Sequence, residues 1–367
     1  MHITNADATG VHIPFADDFP VTYGVEAATH HVFVRIETDS SLTGFGEGTA
    51  LPWFTGDVTA GIEEVARDWI LPEVTGRSIE DAFSELERFQ DVFPGAFAAT
   101  AAVEMARLDL KAKRAELPLY ELLGTKRRTR IPVVNVLPAL EPETTAERAR
   151  EAVADGYDRL KVKASGEIDT DVDRINAVLQ ELPADGTLRI DANTAWETYS
   201  TAAQVIERIA DPGRIEYLEQ PVGKSRVDHM ERLTEEFGIL VYADESVNDT
   251  GDLERYGPQI SGCHLKLAKS GSLLELRTMA ERARAHDADV SVVSAFGASL
   301  EATANLHLAA VVDNLSMGGE ICTDLLGETY GTPTLVQQPE LKVPETVGIG
   351  ITLEDGLFHE RSVTSTQ

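Results

Sequence analysis

Three observations predict an α/β protein with a C-terminal (β/α)₈-type TIM barrel behind an N-terminal α+β domain. Eight short apolar or β-branched runs alternate with helical stretches between residues 131 and 321. Over the first 50 residues, apolar and polar positions alternate with period two, the mark of half-buried strands. From Thr59 to Leu123 the apolar spacing changes to three and four. Strands first and helices second describe the first unit, set at residues 1–126. Strict alternation describes the second, set at 127–327. The remaining tail, about 328–367, is expected to fold back onto the first unit.

The expected N-terminal strands are VHIPFA, HHVFVRIETD and the Gly-rich return LTGFGEG, which together suit a meander. Three helical segments follow: TAGIEEVARDWILPEV, SIEDAFSELERF and ATAAVEMARLDLKAKRAELPLYELL. Gly124 stands where a helix C-cap is needed. The barrel strands are read at 131–137, 157–163, 188–193, 215–221, 240–246, 262–268, 289–295 and 314–321. Strands buried on both faces read as continuous apolar runs, as most of these do.

Composition narrows the function. The 367 residues carry 32 Lys+Arg against 62 Asp+Glu, a formal net charge of −30, with 43% hydrophobic residues. That supply of apolar residues supports a core and argues against disorder. The missing basic clusters exclude nucleic acid and anionic membrane as partners. So acidic a surface suits a salt-rich cytoplasm, and stability that rises between low and molar salt is the expected signature; an ordinary acidic enzyme is the plain alternative. Cys263 and Cys322, each in an apolar stretch, suggest neither a disulfide framework nor a zinc site. The N-terminus lacks the pattern of a secretory leader and no apolar run reaches the roughly 18 residues of a span, so a soluble, cytoplasmic protein is expected.

The chemistry is written at the strand ends, the rim where barrel enzymes place their reactive groups. Lys161 and Lys163 lie at i and i+2 and so share one face. Two like charges on a buried face repel, which is expected to push one of them below the ordinary lysine pKa of about 10.4. An edge strand with two snorkelling lysines is the bland alternative. The next three strands end in Asp191, Glu219 and Asp244. Each alone could cap a helix, but three carboxylates converging on a barrel mouth call for a cation, and all-oxygen ligands suit Mg²⁺. The sixth strand ends in Lys266, expected to face the Lys161–Lys163 pair, and Lys269 just beyond is expected to meet solvent or a phosphate. A metal between opposed lysines suits removal of a proton alpha to a carboxylate. His264 alternates with Lys266, and a lone strand histidine is usually a packing residue.

These residues resemble the enolase superfamily, and within it the muconate-lactonising subgroup of the mandelate racemase/muconate lactonizing enzyme family. The motifs KVK (161–163), IDANTAW (190–196), EQP (219–221), ADES (243–246) and KLAKSGS (266–272) match in order, and the likeness spans nearly the whole chain. The resemblance implies Asp191, Glu219 and Asp244 as Mg²⁺ ligands, Lys163 as the base on one face and Lys266 as the acid/base on the other. Lys161 would support the substrate carboxylate, with Asn193 and Glu245 behind the ligands. It also implies an N-terminal capping domain whose loops, here around Val21–Tyr23 and Pro52–Gly56, select the substrate, and a homo-oligomer. Trp53, Phe54 and Thr55 are therefore candidate specificity residues.

The implied activity is a Mg²⁺-dependent isomerase acting through an enolate of a small carboxylate. After strand eight, epimerases of dipeptides in the subgroup carry Asp-x-Asp, whereas this chain reads Glu320-Ile321-Cys322. Glu320 fits a muconate-type cycloisomerase better, although Thr323-Asp324 fits neither. Where relatives often have Glu-Ser near strand seven, the chain has Phe296-Gly297-Ala298-Ser299, with Glu301 further on. A racemase or epimerase of a dipeptide or N-acyl amino acid is the alternative. A lyase, either an acid-sugar dehydratase or an o-succinylbenzoate synthase, would use the same residues. A non-catalytic binding barrel would have no need of the intact carboxylate and lysine set.

Overall fold

The structure, a computed structural model, describes residues 1–358 apart from 22–23, 93–94, 317, 334 and 336–337; at 17–21, 24–26, 83, 87–88 and 90–92 it describes the backbone only. The chain opens with an antiparallel meander, β1 (Ile3–Val21), β2 (Gly24–Thr38) and β3 (Thr43–Ala50). β1 begins earlier than the apolar run VHIPFA because its pairing with β2 already starts at Ile3 and Thr38.

Helices α1 (Thr59–Glu64), α2 (Leu71–Val74), α3 (Ile79–Val92), α4 (Phe97–Arg114) and α5 (Tyr120–Leu123) follow, with a π-helical turn at Val65–Ile70 between the first two. α4 lies against β3 at unusually close range, because Gly44, Gly46 and Gly48 all turn the same strand face toward it. A Cβ at any of the three would collide with the backbone carbonyl of Ala106, Ala102 or Ala98. Those alanines recur every four residues and so form one face of the helix.

Then comes the alternating unit. β4 (Arg130–Pro132) and β5 (Asn135–Leu137) precede α6 (Pro142–Ala154), β6 (Arg159–Lys163), α7 (Ile168–Glu181), β7 (Thr187–Asp191), α8 (Tyr199–Ile206) and β8 (Ile215–Glu219). After them run α9 (Val227–Phe237), β9 (Val241–Ala243), α10 (Thr250–Tyr256), β10 (Gly262–Lys266), α11 (Leu267–Ser270), α12 (Leu273–Ala285), β11 (Asp289–Val293) and α13 (Ser299–Val311). Strands β5 to β11 form one parallel sheet in sequential order. The barrel is closed by Leu315, Gly319 and Glu320, which bridge β11 at Val290–Leu315 and Val293–Glu320, and the first strand region at Val133–Gly319.

Two expectations are corrected here. The run 131–137 is not one strand: β4 pairs antiparallel with β12 (Glu340–Lys342) and only β5 enters the barrel sheet. The run 314–321 forms isolated bridges rather than a regular strand, in keeping with Gly318, whose φ of 137° breaks strand geometry. Met317 of that run lies outside the described residues.

After the barrel, the chain returns to the first unit. Phe15 bridges Leu326, Asp109 of α4 accepts from the Ile349 N–H at 2.9 Å, and Asp355 meets Arg35 at 3.2 Å. Residues 359–367 of the expected tail lie outside the described residues. Among those described, no helix is long and apolar enough to cross a membrane, and Cys263 and Cys322 are buried free thiols.

Two carboxylates of the N-terminal unit cap barrel helices. Glu47 on β3 accepts from the Ala298 and Glu301 N–H groups at the start of α13, at 2.6 and 2.8 Å. Glu104 on α4 accepts from the Leu273 N–H and the Ser272 hydroxyl at the start of α12, both at 2.6 Å. Negative charge at a helix N-terminus meets unpaired N–H groups and the positive end of the helix dipole, so each cap ties one unit to the other.

Candidate active site

Parallel pairing brings the strand ends level. Lys163 sits beside Asp191 in register, and Asp191 beside Glu219. One residue past β9 stands Asp244, and β10 ends in Lys266. All of the expected residues Lys161, Lys163, Asp191, Glu219, Asp244 and Lys266 therefore meet at one barrel mouth. The carboxylates of Asp191, Glu219 and Asp244 are fully buried.

Ammonium groups bind this cluster closely. Lys161 Nζ lies 2.9 Å from Asp191 Oδ2, 2.5 Å from Glu219 Oε2 and 2.7 Å from Glu320 Oε2. Lys163 Nζ donates to Asp191 Oδ2 at 2.6 Å and to Asn193 Oδ1 at 3.0 Å. Lys266 is paired with Asp244 Oδ2. Asn193 also donates to Glu245 Oε1 at 3.3 Å, which places both of these residues beside the cluster.

Charge balance decides the protonation states. For Asp244, burial opposes ionisation, but Lys266 and Lys269 hold it well below the carboxylate range; Lys161 and Lys163 do the same for Asp191. Glu219 goes the other way: burial, then the Asp191 charge, raise it well above its ordinary value despite Lys161. Burial, then Asp244 and Asp191, push Glu245 up to about 7. Burial alone would lower Lys161 and Lys266, yet the surrounding carboxylates hold both above the ordinary lysine value. The expected mutual depression of the lysine pair is thus outweighed, at Lys161, by its three carboxylate neighbours.

The donor set fits a hard divalent cation. Glu219 Oε1 is buried without a hydrogen-bond donor, its Oε2 meets the Lys161 ammonium, and the three strand-end carboxylates offer only oxygen. Glu219, His264 and Glu320 form a second grouping, with ligand atoms within 4.8 Å of one another. Lys161 touches both glutamates there, as it also touches Asp191 and Glu219. Asp191, Glu219 and Asp244 differ from that grouping in offering three carboxylates, one from each of three neighbouring strand ends.

Several site residues were not foreseen. Lys269 does not meet solvent: it is buried, donating to Asp244 Oδ1 at 3.0 Å, the Asp244 carbonyl at 2.9 Å and the Val247 carbonyl at 2.8 Å. The short helix α11 turns it inward. Gln220 is buried too, and its Oε1 accepts from the Asp244 and Ser246 N–H groups, fixing the turn that carries Asp244. Only its place inside the EQP motif marked it in the sequence. Beneath the cluster, Tyr217 and Tyr242 stack at 4.0 Å, and Arg189 pairs with Glu216 at 3.0 Å. His264 meets both tyrosine rings edge-on and stays neutral, because burial lowers its pKa to about 3.

Above the cluster opens a cavity of about 690 Å³, its mouth included, lined by Lys161, Lys163, Lys266, Asn193 and Glu320 on the polar side and by residues such as Leu51, Phe54, Val136 and Phe296 on the apolar side. Phe54 faces Lys266, with 5.0 Å from Nζ to the ring centroid. Trp53 instead lines a neighbouring apolar pocket with Phe15 and Phe296, and is 69% exposed. The Thr55 hydroxyl bonds within its own loop, to the Leu51 carbonyl and Asp57. Of the other capping segment, Thr22 and Tyr23 and the side chain of Val21 lie outside the described residues.

Comparison with known proteins bears on the family and the fold. Residues 7–124 match the family model described as mandelate racemase/muconate lactonizing enzyme, N-terminal domain, and residues 144–357 match the enolase C-terminal domain-like model. A hydrophobic dipeptide epimerase of Enterococcus faecalis is 30% identical over 96% of this chain and 99% of its own. A chloromuconate cycloisomerase of Cupriavidus pinatubonensis is 28% identical, covering 92% of each chain. Among solved structures, a dipeptide epimerase from Enterococcus faecalis V583, complexed with Mg and the dipeptide L-Leu-L-Tyr, superposes with a TM-score of 0.90 at 28% identity, over 96% of this chain and all of that one.

Proposed function

This chain belongs to the mandelate racemase/muconate lactonizing enzyme family of the enolase superfamily, and from that premise we propose that it is a Mg²⁺-dependent isomerase that moves a proton alpha to a substrate carboxylate. The observation that carries the proposal is the placement of Lys163 and Lys266. They end strands β6 and β10, separated by three strands of the barrel, and line the same cavity.

Asp191, Glu219 and Asp244 would hold the metal, which when bound supplies positive charge to stabilise an enolate oxygen. Lys161, anchored by Glu320, supports the carboxylate end of the substrate. Lys163 takes the alpha proton from one face in its neutral form, with Asn193 fixing its Nζ. Lys266, on the opposite face, returns a proton or takes it in the reverse direction. Gln220 and Lys269 hold the Asp244 turn in place from behind.

Within this chemistry the reading leans to a muconate-type cycloisomerase, because Glu320, which lines the cavity, is already engaged by Lys161 and by the Tyr217 hydroxyl. The second reading, a racemase or epimerase, draws support from the lysines on both faces of the cavity. The substrate is a small carboxylate, and the working form a homo-oligomer in a cytoplasmic setting. Proton NMR in D₂O tests the proposal, with and without Mg²⁺, on muconate, N-acyl amino acids, dipeptides and acid sugars. Metal-dependent loss of an alpha-proton signal or deuterium in a lactone is the expected result. No exchange with any of them, and no thermal response to Mg²⁺, would sink it.

A further inference from the structure

One turn of the cavity wall is held from outside the barrel. Between β11 and α13, Ala295 and Phe296 stand in succession at φ of 45° and 66°, the left-handed region in which a Cβ crowds the backbone. Two such residues in a row persist only where their surroundings over-determine them. The turn faces the cavity with Ser294, Ala295 and Phe296, and Phe296 stands in the wall of the neighbouring apolar pocket as well. From the barrel side, the Gly297 N–H donates to the Ser294 carbonyl at 2.6 Å and the Ser294 N–H to the Glu320 carbonyl at 2.9 Å. The turn ends at Ala298, the N-cap of α13, where alanine has no side-chain oxygen to offer.

β3 of the N-terminal unit supplies the missing acceptor. Glu47 and Thr49 lie at i and i+2 on one face of that strand, both buried. Glu47 accepts from the Ala298 N–H at 2.6 Å and the Glu301 N–H at 2.8 Å, and His31 of β2 meets it at 2.8 Å. Thr49 donates to Glu301 Oε2 at 2.6 Å, and the Glu301 side chain fills the flank of Gly297, where an added Cβ would come within 2.7 Å of Glu301 Cδ. Burial, then the Glu47 charge, raise the Glu301 pKa well above its ordinary value, which lets the two acids share the seam without repulsion. Resting on the proposed reading of this site, we propose that Glu47 is a positioning residue for the reaction: reaching across the seam, it clamps the left-handed turn that sets Phe296 in the cavity wall. Docking of the first unit and shaping of the cavity are then one event.

The test compares Glu47→Gln with Glu104→Gln in the full chain. The first turns an NH₂ group toward one of the two N–H donors, and the second weakens the seam at α12 instead. Amide hydrogen exchange read by mass spectrometry needs no substrate: over residues 294–301, Glu47→Gln should exchange about tenfold faster than the parent, and Glu104→Gln at the parental rate. With muconate as the probe in Mg²⁺, Glu47→Gln should raise KM about fivefold and keep kcat within about twofold, because a wall contacts substrate and transition state alike. A variant that merely left fewer folded molecules would lower kcat at an unchanged KM. Adding Ala295→Gly, in which glycine holds the left-handed φ without a steric cost, should recover part of both losses. Parental exchange in Glu47→Gln, the lowered kcat at unchanged KM, equal effects of Glu104→Gln, or no recovery in the double variant overturns the proposal. Should Glu47→Gln fail to fold, Glu47→Asp, which draws the charge back by one methylene, is read in the same way. If the parent does not turn over muconate, the lean to a cycloisomerase fails, while the exchange comparison still decides the clamp.

Discussion

The barrel mouth and the seam between the two units both bury carboxylates completely, yet they satisfy them in opposite ways. At the mouth, Asp191 and Asp244 are met by the ammonium groups of Lys161, Lys163, Lys266 and Lys269, each on a long stem. At the seam, Glu47 and Glu104 are met largely by fixed donors: backbone N–H groups of α13 and α12, the Ser272 hydroxyl and the ring of His31, 2.8 Å from Glu47. Backbone donors cannot be given up, so the seam holds structure. Ammonium protons can be, so the mouth can do chemistry. Burial alone therefore does not mark a functional acid; the kind of donor that faces it does.

The sharpest way to break this contrast is at the lysines. Lys163→Ala and Lys266→Ala should each cost about 10²- to 10⁴-fold in alpha-proton exchange while leaving circular dichroism and the thermal response to Mg²⁺ intact. Full exchange in either variant would remove that residue from the mechanism. Glu47→Ala should do the reverse, leaving the Mg²⁺ response in place but lowering stability in urea by about 1–3 kcal/mol, since it strips the cap from α13 and a hydrogen-bond partner from His31. A loss below about 1 kcal/mol would mean that the seam does not depend on it.

Smaller effects sharpen the comparison. Glu219→Gln should weaken Mg²⁺ binding by about 10- to 100-fold, read by titration, before it weakens folding. Unchanged affinity would dismiss Glu219 as a ligand. At the seam, burial raises Glu104 to about 6 even though it is hydrogen-bonded. Between its unfolded value of 4.5 and about 6, the folded state then binds more protons than the unfolded one. Its contribution makes stability fall as pH rises through that window, by an amount on the order of 2 kcal/mol. Glu104→Gln should flatten that part of the pH profile relative to the parent, and matching profiles would place the titration elsewhere.

The mouth was far more legible in sequence than the seam. β6, β7, β8 and β10 end on the residues at which their apolar runs stop, Lys163, Asp191, Glu219 and Lys266, because a buried strand changes composition where it reaches the rim. Asp244 follows β9 by one residue. The caps could not be read, since Glu47 and its partner Ala298 are 251 residues apart and meet only through the fold. Lys269 looked like a solvent residue because the turn of α11 that buries it leaves no periodic trace in four residues. The apolar run at 131–137 hid a change of partner at β4 that only β12, some 200 residues away, decides.

The glycine face of β3 bears on how this protein could be re-engineered by exchanging parts with a relative. Because Gly44, Gly46 and Gly48 admit the α4 backbone only at alanine range, strand and helix are a matched pair. α4 in turn carries Glu104 to α12 and Asp109 to the returning chain at Ile349. A chimaera that imports only the loop at Pro52–Gly56 leaves this pairing untouched. One that imports β3 must also import α4 and a compatible C-terminal return, so the natural unit of exchange is discontinuous in sequence, drawn from both ends of the chain.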